Sequence, residues 1–196
     1  MTHPDTQAPV EVARPGKRDR LIAAAQAAML AHGVERTSLA DIAHAADVPL
    51  GNVYYYFKTK GELVAAVIER QRSRQQEAFA ALDQRPTPAQ RLCALLDSWM
   101  AQREKLTAHG CPVGTLGTEL RKGADELADD SAAVLAGLLG WFERQFTEMG
   151  RGDARQLAVA LLAAYEGTIL LANTLADQDL ITVEGERLKQ WITSLA

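Results

Sequence analysis

The chain has 196 residues, with 21 Lys and Arg against 25 Asp and Glu, which gives a formal net charge of −4. This balance excludes a globally basic protein that coats nucleic acid, and an apolar share of 47% excludes wholesale disorder. The charge is uneven, because residues 1–70 carry eight basic and eight acidic side chains whereas residues 71–196 carry thirteen and seventeen. Any contact with nucleic acid is therefore expected from the first third of the chain.

The N-terminal residues 1–15 are polar and include three prolines, without the apolar segment of a secretory signal, so they predict a flexible tail. The chain holds two cysteines, Cys93 and Cys111, which are too few for a disulfide scaffold. We therefore expect a reduced, cytoplasmic setting.

Apolar residues recur at helical spacing along the whole chain, and no segment alternates with a period of two, so the sequence predicts an all-α protein. A first helix is expected over Lys17–Ala31, ended by His32 and Gly33. Ser38 is a good N-cap for a second helix, with Asp41 as its capping-box partner.

A third, short helix is expected to begin near Leu50, directly after Pro49, and to end at Tyr56 or Phe57. Two short helices separated by a tight turn predict a helix-turn-helix. The exposed positions of the third helix mix small and aromatic polar residues, which suits insertion into a DNA major groove about 12 Å wide.

A fourth helix is expected from Lys60 to about Leu82 and connects this unit to the rest of the chain. The segment Gly110–Gly117, with Pro112 and three glycines, predicts a kink or a short helical turn. The remaining helices are expected at about 88–108, 113–122, 125–148, 153–177 and 183–195.

The run Leu157–Ala176 is long and apolar enough for a membrane span, but Glu166 and Asn173 interrupt it, and it lacks basic flanks and an aromatic belt. A helix that is apolar on every side is more often buried between other helices. Small side chains at helical spacing, such as Ala160 and Gly167, allow another helix to approach closely. The run therefore predicts helix pairing, and no membrane partner is expected.

The segment from Thr37 to Lys60 resembles the DNA-binding motif of the TetR family of bacterial transcriptional regulators. The resemblance rests on a Thr before an Ile-Ala pair, followed by Val-x-x-Gly-x-x-Tyr-x-Tyr-Phe-x-x-Lys, and it spans residues 17–64. The matching residues are Thr37, Ile42, Ala43, Val48, Gly51, Tyr54, Tyr56, Phe57 and Lys60.

The resemblance implies a three-helix DNA-binding domain over residues 16–62 and a helical ligand-binding and dimerisation domain over residues 63–196, after the tail of residues 1–15. It also implies a homodimer, formed through the last two helices, that binds double-stranded operator DNA. A small-molecule inducer bound in the C-terminal domain would release this repressor from the operator.

The resemblance also carries over a set of DNA contacts. Thr37 and Ser38 would touch phosphate at the start of the second helix, Tyr54 would hydrogen-bond phosphate, and Lys60 would clamp the strand together with the first amides of the fourth helix. Simple packing is the alternative for the tyrosines, and helical phase places Tyr56 in the core. The expected DNA contacts are Thr37, Ser38, Pro49, Leu50, Gly51, Asn52, Tyr54, Tyr55, Lys58 and Lys60.

Two positions depart from the family pattern. Asp47 replaces a glycine that is frequent in the turn, which is tolerable because Asp adopts left-handed geometry more readily than most residues. Pro49 and Leu50 stand where many relatives have a polar pair, so base readout there would rest on contact with thymine methyl groups. Lys17 and Arg18 open the first helix, where the helix dipole disfavours cations, so they predict either a phosphate contact or a solvated surface.

The helices between residues 88 and 149 are expected to enclose the inducer pocket, lined by apolar side chains with a few polar groups. Plain core packing is the alternative for each of these residues. The expected ligand contacts are Trp99, Met100, Arg103, Cys111, Leu116, Leu139, Phe142, Phe146, Tyr165 and Ile169.

Cys111 lies at the predicted helix break, where amide groups of the following turn would lower its pKa and Arg103 and His109 would assist. The alternative function is therefore a redox-sensing or electrophile-sensing regulator that uses the Cys111 thiolate. An unreactive packed cysteine is the other alternative, and Cys93 is expected to be of that kind.

The sequence lacks HExxH, CxxC, Walker-type and GxSxG motifs, and its four histidines are scattered. No catalytic centre, metal site or cofactor is therefore expected, and an enzyme built on a helical bundle is the remote alternative.

Overall fold

The computed structural model describes residues 15–196, which fold into ten α-helices with no strand among them. The all-α prediction is confirmed, whereas the tail predicted over residues 1–15 lies outside the described residues except for Pro15. The helices are α1 (Lys17–His32), α2 (Leu39–Ala45), α3 (Leu50–Tyr56), α4 (Lys60–Leu82), α5 (Pro88–Met100), α6 (Arg103–His109), α7 (Pro112–Lys122), α8 (Ala128–Glu148), α9 (Ala154–Leu175) and α10 (Asp179–Ser194).

Local sequence signals determine the geometry of the first three helices. Gly33 ends α1 in a left-handed conformation, φ 84°, with its N–H donating to the Met29 carbonyl. Ser38 and Asp41 form the predicted capping box at the start of α2. Asp47 occupies the turn between α2 and α3 at φ 52°, the left-handed geometry that the sequence predicted for it.

The N-terminal core is shared between the helix-turn-helix and the rest of the chain. It is built from α1–α3 and the first half of α4, and Leu116 and Leu120 of α7 and Ala128 and Val134 of α8 pack into the same cluster. Helix α4 also crosses the expected domain boundary at residues 62–63 without interruption. Helices α7 and α8 therefore pack against the same core as the helix-turn-helix.

The C-terminal core lies between α5, α8, α9 and α10, around large apolar side chains such as Trp99, Phe142 and Phe146. The single helix predicted over residues 88–108 is wrong, because α5 ends at Met100 and α6 begins at Arg103. The break lets α6 pack against α9. Helix α10 also begins four residues earlier than the predicted residue 183.

Helix α9 has an apolar face that the single chain leaves uncovered. Among the helices of residues 15–196, it is the one that is long and apolar enough to cross a membrane, judged by length and composition only. Only 28% of its most apolar stretch is buried. Leu170, Leu171 and Leu175 are 66%, 54% and 63% exposed, and Val183 of α10 is 68% exposed.

Candidate functional site

Helix α3 presents one face to solvent because its other face is anchored in the core. Val53 and Phe57 are buried at 0% and 3% exposure. On the opposite side, Leu50 is 43%, Tyr54 49% and Tyr55 77% exposed. Tyr55 packs edge-to-face on Tyr56, with ring centroids 5.0 Å apart, yet most of its side chain stays exposed. Exposed aromatic side chains grouped in this way are typical of a contact surface.

The neighbouring predicted contacts share this surface. Pro49 and Gly51 are exposed and Asn52 is half-buried. A Cβ added at Gly51 would have nothing within 4 Å, so the α3 backbone is open to close approach at this point. The Lys58 ammonium donates to the carbonyl of Tyr54 over 2.8 Å and so stays beside the end of α3.

Two of the predicted phosphate contacts are placed differently from the expectation. Thr37 is only 2% exposed, and its hydroxyl donates to the Gly33 carbonyl over 2.7 Å, so its side chain holds the turn after α1 and does not reach the surface. Lys60 donates to the Glu35 carbonyl over 3.0 Å and ties the start of α4 to the same loop. Ser38 is exposed and serves as the α2 cap.

Basic side chains lie beside this surface. Lys17 and Arg18 are exposed at the start of α1, and the Arg18 guanidinium carbon lies 5.4 Å from the ring centroid of Phe57, directly after α3. Tyr56 is half-buried and packs on the N-terminal core, as its helical phase predicted. Basic side chains therefore lie close to α3 although the chain as a whole is acidic.

A cavity of about 420 Å³ lies between α4, α5, α7, α8 and α9 in the C-terminal part. Its wall is largely apolar with three aromatic side chains, and its size is that of a small-molecule site. The aromatic residues are Phe79, Trp99 and Tyr165, and the rings of the last two lie 4.5 Å apart between centroids.

The structure brings three of the predicted ligand contacts to this cavity, namely Trp99, Cys111 and Tyr165. Ile169 and Cys111 line an adjacent open groove of about 1000 Å³ between α7, α8 and α9.

The other predicted ligand contacts line neither space. Phe142 and Phe146 are completely buried in the C-terminal core, and Leu139 packs against that core. Leu116 belongs to the N-terminal core. Met100 packs against Gly185 of α10, and Arg103 donates to the Met100 carbonyl over 3.5 Å. The apolar residues in this set have the same helical spacing as the lining residues but pack into the cores.

Cys111 and Glu166 form a hydrogen-bonded pair in the wall shared by the cavity and the groove. The Cys111 thiol donates to Glu166 Oε1 over 3.1 Å, and the Gly114 N–H donates to Cys111 Sγ over 3.3 Å. Burial first, and then the carboxylate of Glu166, raise the pKa of Cys111 to about 12. The predicted activation of this thiol is therefore wrong, because burial outweighs the amide that was expected to lower its pKa.

The sequence reasoning missed Glu166, Gln75 and Phe79 as lining residues. Glu166 carried a signal, since it is the one charged residue within the run Leu157–Ala176. In the sequence alone, however, this charge indicates only an interruption of a possible membrane span. Gln75 and Phe79 lie on α4, for which the sequence predicts a connecting helix, and nothing in their local pattern distinguishes a lining position from a solvated one.

Helix α7 connects the cavity to the helix-turn-helix. Its N-cap is Cys111, and eight residues later Glu119 Oε1 accepts hydrogen bonds from the backbone N–H groups of Val34 and Glu35 over 2.6 and 3.1 Å. These two residues lie in the loop between α1 and α2. One short helix thus contacts both the lining of the cavity and the loop that positions α2.

Within residues 15–196, no group of three or more His, Cys, Asp or Glu side chains is arranged to hold a metal ion.

Comparison with known proteins relates both parts of the chain to bacterial regulators. Residues 21–67 match the model of the bacterial regulatory proteins of the tetR family, and residues 88–185 match that of the LmrA/YxaF-like transcriptional regulator C-terminal domain. Transcriptional regulator AcuR of Cereibacter sphaeroides is 33% identical over 157 residues, which cover 71% of this chain and 68% of that protein. The HTH-type transcriptional regulator TtgR of Pseudomonas putida is 29% identical over 165 residues, 78% of each chain.

A solved structure supports the fold. A TetR transcriptional regulator from Legionella pneumophila matches with a TM-score of 0.80 at 16% identity, over 92% of this chain and 98% of that one. At this identity the likeness concerns the fold only.

Proposed function

The chain belongs to the TetR family and is a DNA-binding transcriptional regulator, not an enzyme; from that premise we propose that it is a homodimeric repressor that leaves its operator when a small molecule binds the 420 Å³ cavity. The observation that carries this proposal is α7, which contacts the cavity through Cys111 and the helix-turn-helix through Glu119. The site of action is the cytoplasm, where operator DNA lies.

The DNA contacts come from the exposed face of α3 and its flanks. Leu50 and Tyr55 face base edges, and Gly51 allows the helix backbone to approach the groove closely. Tyr54 and Lys58 contact phosphate, and Ser38 does so from the start of α2. Thr37 and Lys60 act indirectly, by holding the loop before α2 and the start of α4.

The dimer forms through α9 and α10. A second copy covers the apolar side chains that a single chain exposes there, such as Leu171, Leu175 and Val183. A two-fold dimer places two copies of α3 one turn of DNA apart, about 34–36 Å, so that they contact the two halves of a palindromic operator.

Release follows from a shift between two arrangements of the dimer. The ligand binds more tightly to the arrangement in which the α3 helices are wrongly spaced for DNA, and a coupling energy of about 1–3 kcal/mol is typical of such linkage. Helix α7 transmits the change, because its first turn borders the cavity and Glu119 holds the α1–α2 loop.

The redox alternative requires a reactive thiolate at Cys111. Its raised pKa leaves the thiol protonated near neutral pH, so the geometry favours a bound ligand over thiol chemistry as the input signal.

Fluorescence anisotropy with labelled fragments of the DNA that flanks the gene tests the DNA-binding part of this proposal. Gly51→Ala and Tyr55→Ala change exposed positions, so both variants stay folded and lose at least about tenfold in specific affinity. Gln76→Ala, an exposed change in the second half of α4, is the control and binds like the wild type. Affinity falls steeply with salt as phosphate contacts release counterions.

Two results would contradict the proposal. One is the absence of sequence-specific binding at low salt, and the other is wild-type affinity in both α3 variants.

A further inference from the structure

The polar side chains of the cavity wall include one carboxyl group and no basic group. One lining residue carries a charge, and the others that can hydrogen-bond are neutral. The charged residue is Glu166, and the neutral ones are Gln75, Ser98, Trp99, Gln102, Cys111 and Tyr165. No Lys, Arg or His lines the cavity within the described part of the chain. An anionic ligand would therefore meet repulsion here without a compensating cation.

Glu166 itself has no cationic partner in the described residues. Its carboxylate accepts from the Cys111 thiol, a weak donor, and burial raises its pKa with no nearby cation to oppose this effect. A half-buried carboxylate with one weak hydrogen bond retains free acceptor capacity on both oxygens. That capacity is available to a ligand.

The start of α7 is built to hold this carboxylate. A Cβ at Gly114 would lie 2.8 Å from Glu166 Oε2, so the absence of a side chain at this position is what permits the close approach. The Gly114 N–H also fixes Cys111 Sγ, which donates to the other carboxylate oxygen. The positive end of the α7 dipole favours the ionised form of Glu166, which opposes the effect of burial.

The remainder of the wall suits a flat apolar body. The rings of Trp99 and Tyr165 lie 4.5 Å apart between centroids, and Phe79 stacks on Trp141 at 4.9 Å behind the cavity. The faces of aromatic rings attract cations as well as apolar surface, through the quadrupole of the ring. An aromatic wall and a carboxylate without a cationic partner thus favour the same kind of ligand.

We propose that the cavity binds a flat, hydrophobic organic cation, with Glu166 as the residue that pairs with its positive charge. The assignment of this ligand as the inducer rests on the proposed function. Binding of the ligand to the cavity does not depend on DNA and can be measured without it. Cys111 is then a positioning residue, because its thiol holds the carboxylate towards the ligand.

The test uses two probes of nearly equal shape and different charge. Thioflavin T is a flat benzothiazolium cation, and 2-(4-dimethylaminophenyl)benzothiazole is a neutral compound of closely similar shape. Isothermal titration calorimetry of the full chain without DNA compares them on the wild type, on Glu166→Gln and on Glu104→Gln. Glu104 is exposed on α6 and does not line the cavity, so its replacement removes the same charge elsewhere.

The wild type is expected to bind the cation at least about tenfold more tightly than the neutral probe, as a charge-assisted contact implies. Glu166→Gln loses this preference and keeps its affinity for the neutral probe, whereas Glu104→Gln keeps the preference. Equal binding of both probes to the wild type, binding of neither, or an unchanged preference in a folded Glu166→Gln variant overturns the proposal.

Addition of either probe to the DNA complex separates the two proposals. If the cation binds through Glu166 but does not release DNA, the ligand assignment stands and the inducer mechanism fails. If DNA binding is specific but the wild type shows no preference for the cation, the ligand assignment fails and the regulator remains.

Discussion

At the scale of single residues, Glu166 is the position where stability and ligand binding oppose each other. Burial raises the pKa of this carboxyl group, so the fold favours its protonated form. The stabilisation that the protonated form gives is fully present below the ordinary pKa of Glu, and it is lost as the pH rises through the raised pKa of the folded state. Above that raised pKa the ionised carboxylate carries a cost in stability, which is typical of a binding residue.

Glu166→Gln is accordingly expected to raise the melting temperature at about pH 7.5, by no more than a few degrees for a chain of this size. Gln keeps an acceptor for the Cys111 thiol and cannot ionise. The difference from the wild type should shrink towards about pH 4, where the wild-type carboxyl group is protonated as well. Thermal melts of both proteins at the two pH values measure this. A lower melting temperature of the variant at neutral pH would show that the ionised carboxylate stabilises the fold.

Cys111 is expected to react slowly with thiol reagents, because a pKa of about 12 leaves little thiolate near pH 8. In a Cys93→Ser variant it is the one remaining thiol, so intact-mass measurement follows its alkylation by iodoacetamide directly. The rate should be at least about tenfold below that of glutathione, whose thiol has an ordinary pKa, and it should still rise above about pH 10. Alkylation as fast as that of glutathione would restore the redox-sensing alternative.

At the scale of elements, α7 gains its role from contacts at both of its ends. Cys111 caps its start beside Glu166, and near its other end Glu119 accepts from the N–H groups of Val34 and Glu35. Between these ends, Leu116 and Leu120 pack into the N-terminal core. The helix is therefore held along its length by both parts of the molecule, and a shift at the cavity would strain its hydrogen bonds to the α1–α2 loop.

Glu119→Ala leaves two backbone N–H groups without their acceptor, one of them partly buried, and is expected to lower the free energy of unfolding by about 1–2 kcal/mol. Glu119→Gln keeps a side-chain oxygen at the same place and should lose much less. Urea denaturation of the three proteins measures the difference. If both variants were equally destabilised, the negative charge of Glu119, and not its hydrogen bonds to the loop, would be the source of the effect.

The sequence predicted those elements whose geometry depends on near neighbours in the chain. The capping box of Ser38 and Asp41 follows from side chains that bond to nearby backbone, and the turn at Asp47 follows from the left-handed geometry that Asp tolerates. The lining of the cavity could not be predicted in this way. Phe142 and Trp99 have the same apolar helical spacing and both belong to the C-terminal core, and only the packing of distant helices makes Trp99 line the cavity as well.

At the scale of the whole molecule, the basic side chains beside α3 and the uncovered apolar surface lie in different parts of the chain. The cations beside α3 and the exposed aromatic residues lie in the first third of the chain, and the uncovered apolar face lies on α9 and α10. Helix α9 resembles a membrane span in composition, and its exposed leucines together with Val183 of α10 form the surface that we propose a second copy covers.

Leu171→Glu places a charge in the middle of this face and is expected to give a folded monomer, because burying an unpaired carboxylate against a second copy is strongly unfavourable. Leu171 is 54% exposed in the single chain, so the substitution leaves the fold of each copy and its melting cooperativity intact.

Sedimentation velocity should show a dimer for the wild type and for the control Gln76→Glu, which adds the same charge on an exposed position of α4. Operator affinity should fall at least about a hundredfold in the monomer, because one α3 helix then contacts half of the palindrome without its partner. A variant that stays dimeric, or a monomer that binds the operator as tightly as the wild type, would show that α9 and α10 do not form the interface on which DNA binding depends.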